Sequence, residues 1–275
     1  MKFFYRLLEF LFRTRHESRP QRSLGLWRSP DTKQSLVSSF VFGIFLPNHC
    51  LSCESIINKN QDFCDDCSTE LRPIKDPKCK ICSYPFEIEI KGMQPLCSKC
   101  LRKKPSYEKS IALFHFDHVI KKVIGDFKYR DQIFLAKKLA KIFLQKAEKE
   151  ISDADLIIAV PLHLKKLRKR KFNQAVLIGK FLTKTTLGKK FYPDFLLKIK
   201  ETKSQTELSQ KAREKNLKRA FLVNKKYREL LRGKKILLID DVTTTGATLE
   251  NCAKELKRRG AKEVTVMTIA KTVLR

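Results

Sequence analysis

Residues Ile236–Thr248 read ILLIDDVTTTGAT. Ile236 to Ile239 are consecutive apolar β-formers, as expected of a strand buried on both faces of a parallel sheet; a half-exposed strand would alternate. Two carboxylates, Asp240 and Asp241, stand where such a strand would end. Thr243, Thr244, Thr245, Gly246, Ala247 and Thr248 follow, then a helical run from Leu249 to Arg259. Open α/β sheets bind ligands at the carboxyl ends of their strands. The start of the next helix adds free N–H groups and a partial positive charge, which suits a phosphate. Gly246 lets the backbone turn closely around that anion. Carboxylates do not bind phosphate directly, so Asp240 and Asp241 are expected to face sugar hydroxyls or a Mg²⁺ ion. The combination describes a ribose 5-phosphate site. A strand, an acidic turn and a helix also occur where threonine and glycine merely cap the helix, and the residues alone leave that alternative open. The GxxxxGK[ST] spacing of a nucleoside-triphosphate loop is missing.

Outward from this stretch, LIIAV at Leu156–Val160 is a second buried strand, and Pro161, Leu162 and His163 form a turn at its end. Six of the seven residues from Lys165 to Lys171 are basic, and Phe172, Asn173 and Gln174 open a helix to about Thr183. Basic residues just past a strand's carboxyl end suit a pyrophosphate; a solvated helix face is the plainer alternative. Ile111–Phe116, Phe195–Ile199 and Val264–Ile269 read as further strands. Lys121–Tyr129 and Gln132–Lys149 have helical periodicity. The polar stretch Glu201–Gln210 reads as a mobile loop, with a short helix near Lys211–Leu217. Strands alternating with helices make this an α/β protein with a mostly parallel sheet flanked by helices.

Eight of the nine cysteines fall in C-x-x-C pairs: Cys50/Cys53, Cys64/Cys67, Cys79/Cys82 and Cys97/Cys100. Each such turn aims two sulfurs at one point, and two turns complete a tetrahedral thiolate site, so two structural Zn²⁺ ions are expected. Nothing in the chain argues for the oxidising compartment that disulfides need. Sequential pairing would join Cys50, Cys53, Cys64 and Cys67 in one site and Cys79, Cys82, Cys97 and Cys100 in the other. A crossed pairing, first pair with third and second with fourth, is equally compatible with the spacing. Neither site leaves a position for substrate, and the segment has few apolar residues, so the metals are expected to fold it. Cys252, outside the pairs, reads as a small packing residue.

The 275 residues carry a formal net charge of +30, a field that attracts nucleic acid, acidic membrane or phosphorylated small molecules. A general preference for lysine on solvated faces would give the same number. Residues 1–35 read as a basic extension and linker, whose first thirteen residues would make either an amphipathic helix or an unstructured start. No secretory signal and no integral membrane segment is expected: the longest apolar run, Leu36–Leu46, is too short to span a bilayer.

Together these landmarks resemble the ComF family (competence protein F, or ComFC) from about Phe40 to the C-terminus. FLPNHCLSC, FKYR at Phe127–Arg130, VPLHLKKLRKRKFNQA at Val160–Ala175 and ILLIDDVTTTGAT carry the resemblance. KSQTELSQKAREKNLKRAF at Lys203–Phe221 is similar to a further family pattern, with Glu207 in place of the usual glycine. The resemblance implies a double zinc ribbon at 36–104 and a type I phosphoribosyltransferase-like domain at 105–275. It implies that Asp240 and Asp241 contact the ribose hydroxyls of 5-phosphoribosyl-1-pyrophosphate (PRPP), and that Thr243–Thr248 hold its 5-phosphate. Pro161, Leu162 and His163, with Arg168 and Arg170, would meet the pyrophosphate, and Lys203 would sit on a loop closing over the centre. Mg²⁺ would accompany PRPP. Asn173, Gln174, Arg213 and Asn216 fit family positions without an assigned role. A cytoplasmic protein acting in DNA uptake is implied, with single-stranded DNA and DNA-uptake machinery proteins as partners. The alternative is a non-catalytic DNA-binding adaptor that uses the PRPP site as a sensor or vestige.

Overall fold

The computed structural model describes residues 47–88, 95–130, 132–186, 188, 190–200 and 220–273, so the predicted loop and helix within 201–219, with Lys203, Arg213 and Asn216, lie outside the described residues. Residues 47–275 form one compact unit. In chain order its strands are β1 (Asn48–His49), β2 (Ile56–Ile57), β3 (Lys109–His115), β4 (Leu156–Ala159), β5 (Lys190–Phe191), β6 (Leu196–Lys198), β7 (Phe221–Val223), β8 (Lys235–Thr243) and β9 (Glu263–Lys271). Its helices are α1 (Asp65–Glu70), α2 (Ser98–Arg102), α3 (His118–Tyr129), α4 (Phe134–Asp153), α5 (Leu164–Arg170), α6 (Gln174–Thr185), α7 (Arg228–Leu231) and α8 (Ala247–Arg258).

Five strands pair in parallel in the order β3-β9-β8-β4-β5. The small antiparallel pairs β1–β2 and β6–β7 stand outside this sheet. All four residues of β4 are buried, and in β8 so are Ile236 to Ile239, as the unbroken apolar runs require of strands covered on both faces. Alternate residues feed two cores. Ile157, Ala159, Leu237, Ile239, Met267 and Ile269 pack with the apolar sides of α3, α4 and α6. Leu156, Ile158, Ile236, Leu238, Val264 and Val266 pack with α8, Phe195 and Phe221. Each fully buried aromatic or aliphatic side chain, Phe127, Phe143 and Phe195 among them, contributes about 1.5–3 kcal/mol.

Local chemistry sets the element ends. Asp117 caps α3, accepting from the Ile120 N–H at 3.3 Å. Asn173 caps α6 in the same way, accepting from Ala175 at 3.0 Å. On α6, a Cβ at Gly179 would stand 2.4 Å from the Phe191 ring, so glycine there is what lets edge strand β5 close against the helix. The periodicity over Gln132–Lys149 matches α4, which runs on to Asp153 across a kink at Ala147. Strand β8 differs from its sequence expectation: it continues through both aspartates to Thr243, because its neighbour β9 offers partners as far as Lys271.

The two cysteine-rich segments are built into this unit. Cys50, Leu51 and Phe63 belong to the α3–α4 core, whereas Cys79, Ile81, Cys82, Cys97, Cys100 and Tyr107 belong to the α8 core. Phe63 meets Phe114 of β3 edge-to-face at 6.4 Å.

Candidate functional site

From β4 the chain moves outward to the edge strand β5; from β8 it moves the opposite way, to β9. The boundary between these two directions lies between β4 and β8, where loops diverge and an open sheet has its natural ligand crevice. The pairing Ala159↔Ile239, continued by the bond from Val160 N–H to the Ile239 carbonyl at 2.8 Å, sets Pro161–His163 beside Asp240 and Asp241. The two motifs singled out in the sequence therefore lie side by side at this switch point.

The carboxylates divide between the two layers. Asp241 takes an ion pair from Lys128, the penultimate residue of α3, at 2.6 Å. Its other oxygen accepts from the Val242 N–H at 2.6 Å, while the Asp241 N–H donates to Asp240 Oδ1 at 2.9 Å. Burial, reinforced by the negative charge of Asp241, raises the Asp240 carboxyl well above its usual range. On the opposite layer the field of Asp240 reaches Lys198 of β6 and the buried Cys252 of α8. Burial, then Lys166, draws the Lys198 ammonium below its ordinary range, and its Nζ stands 5.4 Å from the centre of the Phe221 ring.

Thr243 is buried, and its carbonyl accepts from Thr272 N–H at 2.9 Å, which fastens the loop to the end of β9. Gly246 has φ 80 and heads α8, a conformation that costs a residue bearing a Cβ about 1–2 kcal/mol. A Cβ there would find ordinary contacts, 3.9 Å from Thr243 Oγ1 and from the Tyr107 hydroxyl; backbone conformation, not space, makes glycine the fit. Thr245 Oγ1 accepts from Ala247 N–H at 3.4 Å. Thr244 is exposed and Thr248 half-buried.

On the β4 side, His163 caps α5, its Nδ1 accepting from Lys165 N–H at 3.4 Å. Asn173 spans the turn: its amide donates to the Val160 carbonyl at 2.9 Å, so it shapes the loop from behind as it caps α6. Gln174 is fully buried and donates to the Phe127 carbonyl at 3.2 Å, joining this turn to the helix that carries Lys128. Arg168 is exposed on α5, and the Arg170 guanidinium lies over the ring of Tyr129 at 5.6 Å. Lys128 and Lys198 were not among the site residues expected from sequence. FKYR marks the first only as part of the family resemblance, and no local signal marks the second. A shallow cleft of about 180 Å³ lined by Lys109, Glu150, Lys235 and Glu263 lies at the amino ends of the strands, away from this chemistry.

The cysteines group sequentially, Cys50/Cys53/Cys64/Cys67 and Cys79/Cys82/Cys97/Cys100, with ligand atoms within 4.8 Å of one another in each group. The crossed pairing is thereby excluded. Sulfur separations of 3.5 Å between Cys53 and Cys64 and 3.6 Å between Cys82 and Cys97 are close to the ~3.8 Å edge of a tetrahedron built on Zn–S bonds of about 2.3 Å. Burial pushes the Cys82 thiol up to about 11 and the Cys67 thiol up to about 12, whereas the Ser55 hydroxyl brings Cys53 down to about 6. Thiols so crowded ionise together only around a cation, and both groups fit structural zinc. No helix among the described residues is long and apolar enough to cross a membrane.

Comparison with known proteins agrees with this geometry. The Double zinc ribbon domain family matches residues 41–101, and the Phosphoribosyl transferase domain family matches residues 192–272. Competence protein F of Haemophilus influenzae is 27% identical over 233 residues, 82% of this chain and 98% of that protein. In this domain order and in its relatives the chain matches the ComF architecture. Two further relatives are the DNA utilization protein YhgH of Salmonella typhi, 27% identical over 83% of this chain and 99% of that one, and the competence protein ComFC of Bacillus subtilis, 23% identical over 81% and 95%. The phosphoribosyl transferase match falls on the second half of its parallel-sheet domain, from β6 to β9.

Proposed function

We propose that this ComF-family chain binds PRPP with Mg²⁺ and acts in the cytoplasm on the uptake or use of DNA. The carrying observation is the juxtaposition, at one switch point of a parallel sheet, of Asp240 and Asp241, the Thr243–Thr248 loop opening α8, and the Pro161–His163 turn. Asp240 and Asp241 would hold the two ribose hydroxyls, with Lys128 keeping Asp241 in place. The N–H groups of the loop and the first turn of α8 would hold the 5-phosphate. Arg168, Arg170 and Lys203 would draw the pyrophosphate toward the β4 turn. The domain boundaries at about 36–104 and 105–275 follow the same reading. Mg²⁺, bound with PRPP, would neutralise part of the pyrophosphate's charge, and the oxygens of Asp240 and Asp241 are donors of the kind it takes. Where a nitrogen nucleophile is present, pyrophosphate would leave the anomeric carbon through an oxocarbenium-like state. The chain's contribution would then be position and preorganised charge. The part in DNA uptake is supported by relatives named for competence and DNA utilization.

Calorimetric titration of PRPP into zinc-loaded protein with Mg²⁺ tests this reading. Saturable binding is expected, and each single aspartate-to-asparagine change should weaken it by about 1–3 kcal/mol. A folded, zinc-loaded wild type that takes no PRPP would remove the proposal. A second reading, a DNA-binding adaptor without turnover, is favoured by Tyr129, 67% exposed beneath Arg170 on a basic surface, an arrangement suited to stacking a base. Binding of single-stranded DNA that falls steeply with salt and persists in an Asp240→Asn/Asp241→Asn double variant would favour it.

A further inference from the structure

The second cysteine cluster touches the Thr243–Thr248 loop through groups that metal binding alone does not require. Lys99 lies between the ligands Cys97 and Cys100, and its ammonium donates to the carbonyl of Thr245, 146 residues away. Seven residues further, Ser106 donates twice to Glu250 in the first turn of α8, from its N–H at 2.8 Å and from its hydroxyl at 2.8 Å. The Tyr107 ring is buried, with its hydroxyl facing Gly246. Glu108 continues the seam: its carboxylate accepts from Lys257 of α8 and from the Val264 N–H, and its own N–H donates to the Val264 carbonyl. The first cluster contacts the other layer instead, through Glu54 to Gln132 and Arg130 and through Asp62 to Lys138.

The contact at Thr245 has a directional consequence. In a trans peptide the carbonyl and the following N–H point to opposite sides. A Thr245 carbonyl held toward Lys99 therefore directs the Gly246 N–H away from the ribbon. Ser106 meanwhile keeps Glu250 turned back to the ribbon, so its carboxylate does not compete for the N–H groups at the start of α8.

We infer that Lys99 and Ser106 are positioning residues that brace the Thr243–Thr248 loop from the second cysteine cluster, so that the loop's anion-binding geometry depends on the second metal centre and not on the first. In naming the loop a phosphate cradle, this inference rests on the PRPP reading above. Lys99 and Ser98 are exposed while Cys97 and Cys100 are buried, so the lysine can be changed without entering either core.

The test is amide hydrogen exchange across residues 242–251 of the full, zinc-loaded chain, with PRPP/Mg²⁺ calorimetry alongside. Lys99→Met is expected to speed exchange at the loop amides by about tenfold, the worth of one charge-assisted hydrogen bond, and to weaken PRPP by a comparable factor. Exchange around Cys50–Cys67 should stay as in wild type, and Lys99→Arg, which keeps a cationic donor, should restore much of the protection. Ser106→Ala should loosen the first turn of α8 more than the loop. Loop exchange in Lys99→Met equal to wild type would overturn the brace, whatever PRPP does. Loosening of the loop in a chain whose wild type takes no PRPP would leave the brace standing and remove the phosphosugar reading instead.

Discussion

The two cysteine clusters use the same C-x-x-C turn twice each, yet the chain treats them differently. In the first, Cys50 is buried, Cys64 and Cys67 are half-buried and Cys53 is exposed; in the second all four sulfurs are buried. The first shares the α3–α4 core through Cys50 and Phe63 and is joined to that layer by part-buried ion pairs such as Arg72–Asp117 at 3.3 Å and Lys138–Asp62 at 3.8 Å. The second shares its core with α8 and is hydrogen-bonded to the loop that opens that helix. The same C-x-x-C turn specifies a thiolate site in both, while the surface each ribbon meets decides whether that site supports only its own segment or the Thr243–Thr248 loop as well.

Removing one ligand from each cluster should separate them most. Cys100→Ser is expected to cost about 4 kcal/mol or more, the range in which loss of a buried metal ligand falls, and to lower PRPP affinity with it. Cys53→Ser, at the open edge of the first cluster, should cost markedly less and leave PRPP binding in place. Chemical melts with zinc stoichiometry measure both, and equal losses would break the comparison.

Asp240 lies on the layer of the second cluster and gives a pH test. Burial raises its folded-state carboxyl above the ordinary 3.8, so the folded chain holds that proton at pH values where the unfolded chain has released it. Stability contributed by the protonated form is complete below about 3.8 and is lost as pH rises through the raised value. Asp240→Asn should therefore be more stable than wild type at neutral pH and lose that advantage on acidification, while binding PRPP more weakly. Melts from pH 4 to pH 8 on the two proteins would show the curves converging at the acid end; parallel curves would refute the burial of this charge.

Glu250→Ala leaves the buried-side donors of Ser106 unmatched and is expected to cost about 2 kcal/mol. Its counterpart on the first ribbon, Glu54→Ala, removes only exposed pairs and should stay within about 1 kcal/mol. The last of the site changes, Gly246→Ala, should cost about 1–2 kcal/mol from positive φ alone, since the added methyl meets only 3.9 Å contacts. A much larger loss would mean that the Tyr107 side closes more tightly on the loop than these distances allow.

Much of the site was legible because its signals are local. Four apolar residues, two carboxylates, a threonine-rich turn with one glycine and a helix lie within one stretch of chain, and their order is that of a strand feeding a phosphate loop. LIIAV followed by Pro161–His163 was legible for the same reason. The extension of β8 past Asp240 was not, because it depends on β9 offering partners to Lys271. Lys198 was hidden in a short strand with no motif, and becomes part of the site only because β6 lies against the α8 layer.

By itself the sequence determined the fold class, the two four-cysteine clusters and the positions of the aspartates and the Thr243–Thr248 loop, because spacing within a turn, a strand or a helix start is set by bonds close along the chain. Tertiary structure alone decided which C-x-x-C pairs share a metal and that Lys128 pairs with Asp241 across 113 residues of chain. It also decided that Lys99 reaches Thr245. Those contacts follow from strand order and from the two-sided burial of the sheet, which place β4 beside β8 and set one ribbon against each core.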